Sequence, residues 1–163
     1  MDIAKVNAIL EAIKEVDEQT CDHLERTAMF TCALAKALKL KQQQLEQSYF
    51  AGLLHDIGVL GAVERDQQQC AKIGSVILQL IDDNANIISK AIKHQHDFYL
   101  QEEENDFALL LSEMIAISSK YDEMRNVEGL QHEQALELLK SISGFNSDLI
   151  DRFDVILKEE ELI

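Results

Sequence analysis

The sequence predicts an all-α protein, a compact multi-helix bundle, and three observations predict it. Proline is absent from the 163 residues and the six glycines are scattered, so few points force the chain to turn. Apolar residues recur at three- and four-residue steps in one segment after another, the period of helices that each bury one face. Apolar side chains make up 47% of the chain, enough to build a real core. At this length one domain spanning residues 1–163 is expected.

Ile3, Val6, Leu10 and Ile13 mark a first helix, and Leu24, Ala28, Thr31, Cys32 and Ala35 a second. The same period predicts helices over 42–56, 66–81, 84–95, 107–125, 131–142 and 147–160, eight in all. Gly58 and Gly61 are expected to close the third, while Asn105-Asp106 and Ser147-Asp148 supply side-chain acceptors to cap the helices that follow them. The run Gln101-Glu102-Glu103-Glu104-Asn105-Asp106 reads as a solvated loop, because its charges would repel one another in a helix. Lys158-Glu159-Glu160-Glu161 reads as a solvated end.

Charge narrows the function. A net charge of -15, from 30 acidic against 15 basic residues, repels phosphate backbones and anionic membrane surfaces, so neither nucleic acid nor membrane is expected as a partner. A protein partner or a second copy of the chain is compatible with it. A small anionic substrate is compatible only where a local cation, such as a bound metal, reverses the field inside a pocket. Cys21, Cys32 and Cys70 are odd in number and lack a CxxC spacing, which suits reduced thiols. The first sixteen residues mix charges with apolar side chains and contain no signal-like apolar core, and no run is long enough to span a bilayer. A cytoplasmic location is expected.

The sharpest local feature is Ala51-Gly52-Leu53-Leu54-His55-Asp56-Ile57-Gly58, an apolar helix ending in adjacent imidazole and carboxylate. Both groups are good ligands for divalent transition metals, and a helix end lets them converge on one ion. Alternatively, Asp56 accepts a hydrogen bond from His55 or caps a neighbouring turn, with no metal involved.

His23 with Arg26 three residues later, His55 to Gly58, Ile73-Gly74 with Ile77-Leu78, and the closing segments 133–138 and 145–153 succeed one another along most of the chain. In these motifs and their order the chain resembles the HD-GYP branch of the HD metallophosphohydrolases. The resemblance implies a helical bundle of the HD-domain type whose inward side chains hold two or three metal ions and cut the phosphodiester bonds of cyclic di-GMP. It assigns metal-ligand positions to His23, His55, Asp56 and His96, with Asp122 as a further candidate.

The departures from the family are equally specific. Val59 stands where a phosphate-binding lysine is expected, and three ligand positions fall on Cys70, Gln95 and Ser119. The segment after His96 reads Asp97-Phe98-Tyr99-Leu100 where the Gly-Tyr-Pro loop is expected. A thiol, an amide and a hydroxyl do not replace the imidazoles and the carboxylate a two-ion hydrolytic centre requires. The expected function is therefore a catalytically weak or inactive signalling or interaction module, holding one divalent ion (iron, manganese or zinc) or none, with a cyclic dinucleotide doubtful as ligand. The alternative is a one-ion phosphohydrolase acting on a nucleotide or another phosphoester.

Overall fold

A computed structural model describes residues 1–62, 66–100 and 106–163. Among the described residues there are eight α-helices and no strand: α1 (Ile3–Val16), α2 (Glu18–Ala37), α3 (Gln42–Leu54), α4 (Gln67–Ile81), α5 (Asn86–Lys93), α6 (Phe107–Asp122), α7 (His132–Ser141) and α8 (Ser147–Glu159). The acidic run expected as a loop falls, at residues 101–105, outside the described residues.

Aspartates open four of the helices. Asp2, Asp17, Asp66 and Asp106 accept hydrogen bonds from the backbone N–H of Ala4, Thr20, Gln69 and Ala108, satisfying donors that a helix leaves unpaired at its start. The eighth helix is capped one residue earlier than expected. Asn146, not Ser147 or Asp148, accepts from Asp148 and Leu149, because Ser147 already takes up the first helical position.

Helices α2 and α6 form the centre of the bundle. α2 packs on α1, α3, α6 and α8, and α6 packs also on α3, α5 and α7. Their shared interior includes Leu24, Ala28 and Leu34 from α2, Leu54 from α3, Leu111, Met114 and Ile115 from α6, and Phe153 from α8. The Phe30, Tyr121 and Phe153 rings meet edge to face, with centroids 5.2 to 6.0 Å apart. Behind this cluster the Tyr121 hydroxyl donates to His132 Nδ1 (2.8 Å), and His132 Nε2–H donates to Asp154 (2.7 Å), so one polar chain joins α6, α7 and α8.

The third helix ends earlier than its sequence period suggests. α3 stops at Leu54 with His55 as C-cap, and a short 3-10 turn follows over Ile57–Leu60. Gly58 does not terminate α3; it lets this turn press against α4. A Cβ built on Gly58 would lie 1.8 Å from the Cys70 carbonyl oxygen. Gly52 plays the same part between α2 and α3, where an added Cβ would lie 2.7 Å from Ala28 Cα. The sixth helix also differs: α6 ends at Asp122 and passes into a π turn over Glu123–Val127, in which Glu128 N–H bonds to Glu123 O. No helix among the described residues is long and apolar enough to cross a membrane.

Gly58→Ala is expected to lower the unfolding free energy by about 3 kcal/mol, because the clash is with main chain and neither segment can rotate away. Urea denaturation followed by circular dichroism reads this directly. A loss under about 0.5 kcal/mol would mean that the 57–60 turn is free to lift off α4.

Candidate metal centre

Three metal-capable side chains meet where α2, α3 and α6 converge. His23 projects from α2, His55 caps α3, and Asp56 follows in the bend before the 3-10 turn with φ -108° and ψ 16°. One ligand atom from each lies within 4.8 Å of the other two. His55 is 1% exposed, whereas the Asp56 side chain is 39% exposed and lines a cavity of about 370 Å³.

The hydrogen bonds around the two imidazoles determine what they present to each other. His55 Nδ1–H donates to the Gly52 carbonyl (2.8 Å), and a carbonyl can only accept. His23 Nδ1–H donates to Asp122 Oδ2 (2.7 Å). Both Nδ1 atoms are thus used as donors, and each neutral ring turns a lone pair outward at Nε2. These two Nε2 atoms face each other at 3.3 Å. Asp56 Oδ2 lies 3.4 Å from the same His55 nitrogen. Facing lone pairs repel unless a cation or proton stands between them. Burial, the largest influence, and the nearby His23 push the His55 pKa below the usual imidazole value, although Asp56 works in the opposite direction.

The donor set fits a metal ion by this test. Ligand bonds of about 2.1 Å in tetrahedral geometry place donor atoms roughly 3.4 Å apart, close to the His23–His55 (3.3 Å) and His55–Asp56 (3.4 Å) separations, with all three donors within 4.8 Å of one another. Each histidine also has its outer nitrogen fixed by an acceptor, the arrangement that orients an imidazole ligand.

Asp122 is fully buried, and its carboxylate is saturated. Oδ1 accepts from Arg26 Nε (2.5 Å) and Asn126 Nδ2 (2.8 Å), and Oδ2 accepts from His23 Nδ1 (2.7 Å) and Arg26 Nη2 (3.1 Å). Four donors occupy the roughly four acceptor sites that a carboxylate has. Burial alone would raise its pKa; the hydrogen bonds from His23 and Arg26, with the Arg26 charge, outweigh burial and hold it below the ordinary carboxylate value.

The remaining expected positions separate into different roles. Ser119 Oγ lies 3.3 Å from His23 Nε2 and faces the cluster as a hydroxyl. Gln95 is buried and spends its amide N–H on the His55 carbonyl (3.0 Å), bracing the turn that carries the histidine. Cys70 is buried in α4, outside the three-residue cluster, and its carbonyl faces Gly58. His96 lines the same cavity without joining the cluster. Its pKa is lowered chiefly by burial, against the opposing pull of Asp56 and Asp97. Phe98 stacks on Phe145 at 5.9 Å, and both line the cavity. Asn126 is the residue that sequence reasoning missed, and Arg26 was read only as part of a motif, without a role. Spacing was the available signal: Arg26 is three residues after His23 and Asn126 four after Asp122, each pair lying on neighbouring positions of one helical segment.

A larger groove of about 580 Å³ runs beside Leu40, Phe107 and Glu113, but among the described residues it holds no cluster of three metal-capable groups.

Arg26→Ala is expected to destabilise chelator-treated protein by about 3 kcal/mol, since it strips a buried carboxylate of its main cation. The stability that Asp122 contributes is full above the ordinary carboxylate range and is lost as pH falls through its lowered value. Asp122→Asn should therefore be less stable than the parent at neutral pH and should lack this part of the acid dependence. Equal slopes of stability against pH in parent and variant would contradict the assignment.

A family model for the HDOD domain matches residues 2–97, from α1 through the end of α5, and so includes His23, His55 and Asp56. No curated protein and no solved structure matches the chain. Residues 98–163, with Asp122, lie beyond the matched region, and the likeness to HD-GYP domains remains one of motifs. The matched region covers more than half of the chain: the protein belongs to the HDOD domain family, an HD-like family related to the HD phosphohydrolase superfamily.

Proposed function

We propose that the chain is a signalling or interaction module of the HD type that can hold one divalent ion and does not hydrolyse cyclic di-GMP. The observation that carries this reading is the saturation of Asp122 by Arg26, Asn126 and His23. A two-ion phosphohydrolase needs carboxylates that bridge or fill the second ion's shell. Here the aspartate at the family's position has spent its acceptors on protein donors. Ser119 has no charge to give and Gln95 is committed to the His55 carbonyl.

His23, His55 and Asp56 would hold the ion, and imidazole with carboxylate suits iron, manganese or zinc. Such an ion would supply Lewis acidity and a bound water of lowered pKa. The protein's own part is to orient the two imidazoles through Gly52 and Asp122 and to leave Asp56 open to the cavity. Lys120 lines that cavity, but its ammonium is paired with Glu123 at 2.6 Å, so it is a poor anchor for a phosphodiester. With the strongly negative chain around it, the reading favours a protein partner over a nucleic acid or membrane.

A second reading, a one-ion phosphohydrolase for a smaller phosphoester, draws support from the exposure of Asp56 to the cavity.

Elemental analysis of protein purified without chelator or affinity metal is expected to find at most one ion per chain. Added iron, manganese or zinc should raise the melting temperature of the parent but not of His55→Ala. Cyclic di-GMP incubated with metal-loaded protein should persist unchanged by chromatography. Metal-dependent turnover that disappears in both His55→Ala and Asp56→Ala would replace this reading with the hydrolytic one.

A further inference from the structure

Helix α4 stands apart from most of the molecule in its charge. The chain carries 30 acidic residues, yet Gln67–Ile81 contains none, and its single charge is Lys72. The neighbouring α5 also lacks a carboxylate, so the segment 67–93 holds only Asp82 and Asp83, both just beyond the C-terminal end of α4.

The inner face of α4 (Ala71, Gly74, Ser75 and Leu78) is buried, and the helix packs chiefly on α5 and on the 57–60 turn. Its outer face places Ile73, Val76, Ile77 and Leu80 at the three- and four-residue steps of one apolar stripe. Val76 is 55% and Leu80 81% exposed. At one edge of the stripe the Gly61 backbone packs close to Ile73 and Ile77, with a Cβ built there 3.0 Å from Ile73 Cγ2, so these two are half-buried while Val76 and Leu80 stand free. Two strongly exposed apolar side chains one turn apart, flanked by half-buried Ile73 and Ile77, mark a candidate association surface.

We propose that its occupant is a second copy of the chain, with α4 lying antiparallel against the α4 of the partner across a two-fold axis near Ile77. Charge selects this occupant. An acidic protein repels itself over most of its surface, and α4 presents an apolar helix face without a carboxylate. Antiparallel pairing centred near residue 77 also brings Lys72 of each copy opposite the Asp82–Asp83 end of the other. A two-fold interface therefore repeats one attraction twice and creates no like-charge contact along the helix. Asp82 already neighbours the amino terminus, at 3.6 Å, so Asp83 is the cleaner partner to test. The helix has 15 residues and is about 22 Å long, which makes a small contact beside the roughly 800 Å² per partner of a standard interface. The association is correspondingly weak and reversible.

Sedimentation equilibrium of the full chain, from low micromolar to submillimolar concentration, reads the proposal. A reversible monomer–dimer equilibrium is expected. Val76→Glu and Leu80→Glu abolish it while leaving the helical circular dichroism intact, because both positions are exposed in the monomer. Val155→Glu on α8, 54% exposed, leaves it unchanged. Lys72→Glu and Asp83→Lys each weaken the dimer about tenfold, and the two together in one chain recover it, since the swapped charges again face each other. A chain that stays monomeric throughout overturns the proposal, whatever other protein it binds. A dimer indifferent to Val76→Glu also overturns it, and failure of the double variant to recover overturns the antiparallel arrangement.

Discussion

A carboxylate with no solvent contact must find donors for nearly all of its acceptor sites, and the burial of Asp122 imposes that demand on three elements at once. Arg26 and His23 answer it from α2 and Asn126 from the π turn, so α2 and α6 can approach only in the register that brings these groups together. The same requirement turns His23: once its Nδ1 is tied to Asp122, its Nε2 is aimed at His55. The cluster on the cavity wall is therefore a consequence of how the interior neutralises one charge.

The approach of α3 supplies the other half of the site. Gly52 lets α3 lie against α2 at Ala28, and its own carbonyl then takes the Nδ1 proton of the histidine three residues on. A larger residue at 52 would move His55 outward and away from His23. Gln95 holds the same turn from the far side through the His55 carbonyl. Packing and tautomer selection are coupled here, because one helical turn serves both.

The helices were legible because each buries one face, and a buried face writes its period into the sequence, as Leu24, Ala28 and Ala35 do in α2. His23, His55 and Asp56 were legible through motif order, which places chemistry without needing distances. The fate of Asp122 was not, since the bond from Arg26 joins residues 96 positions apart and depends on side-chain direction. Gln95 looked like a lost ligand when read alone, yet its partner is a backbone carbonyl, a group that leaves no trace in residue identity. The end of α3 was misjudged because glycine marks both helix ends and close contacts. Only the proximity of Cys70 distinguishes the two at Gly58.

On α6 the neighbours Tyr121 and Asp122 serve different sides of the helix, one anchoring His132 and Asp154, the other Arg26 and His23. A single inserted or deleted residue within α6 would turn everything beyond it by about 100° and break one set or the other. The π turn over Glu123–Val127 follows immediately, and its wider winding accommodates one residue more than an α-helical turn. Within that turn Asn126 still reaches Asp122 Oδ1 at 2.8 Å, so a change of length that spares both sets of contacts belongs beyond Val127, in the connection to α7.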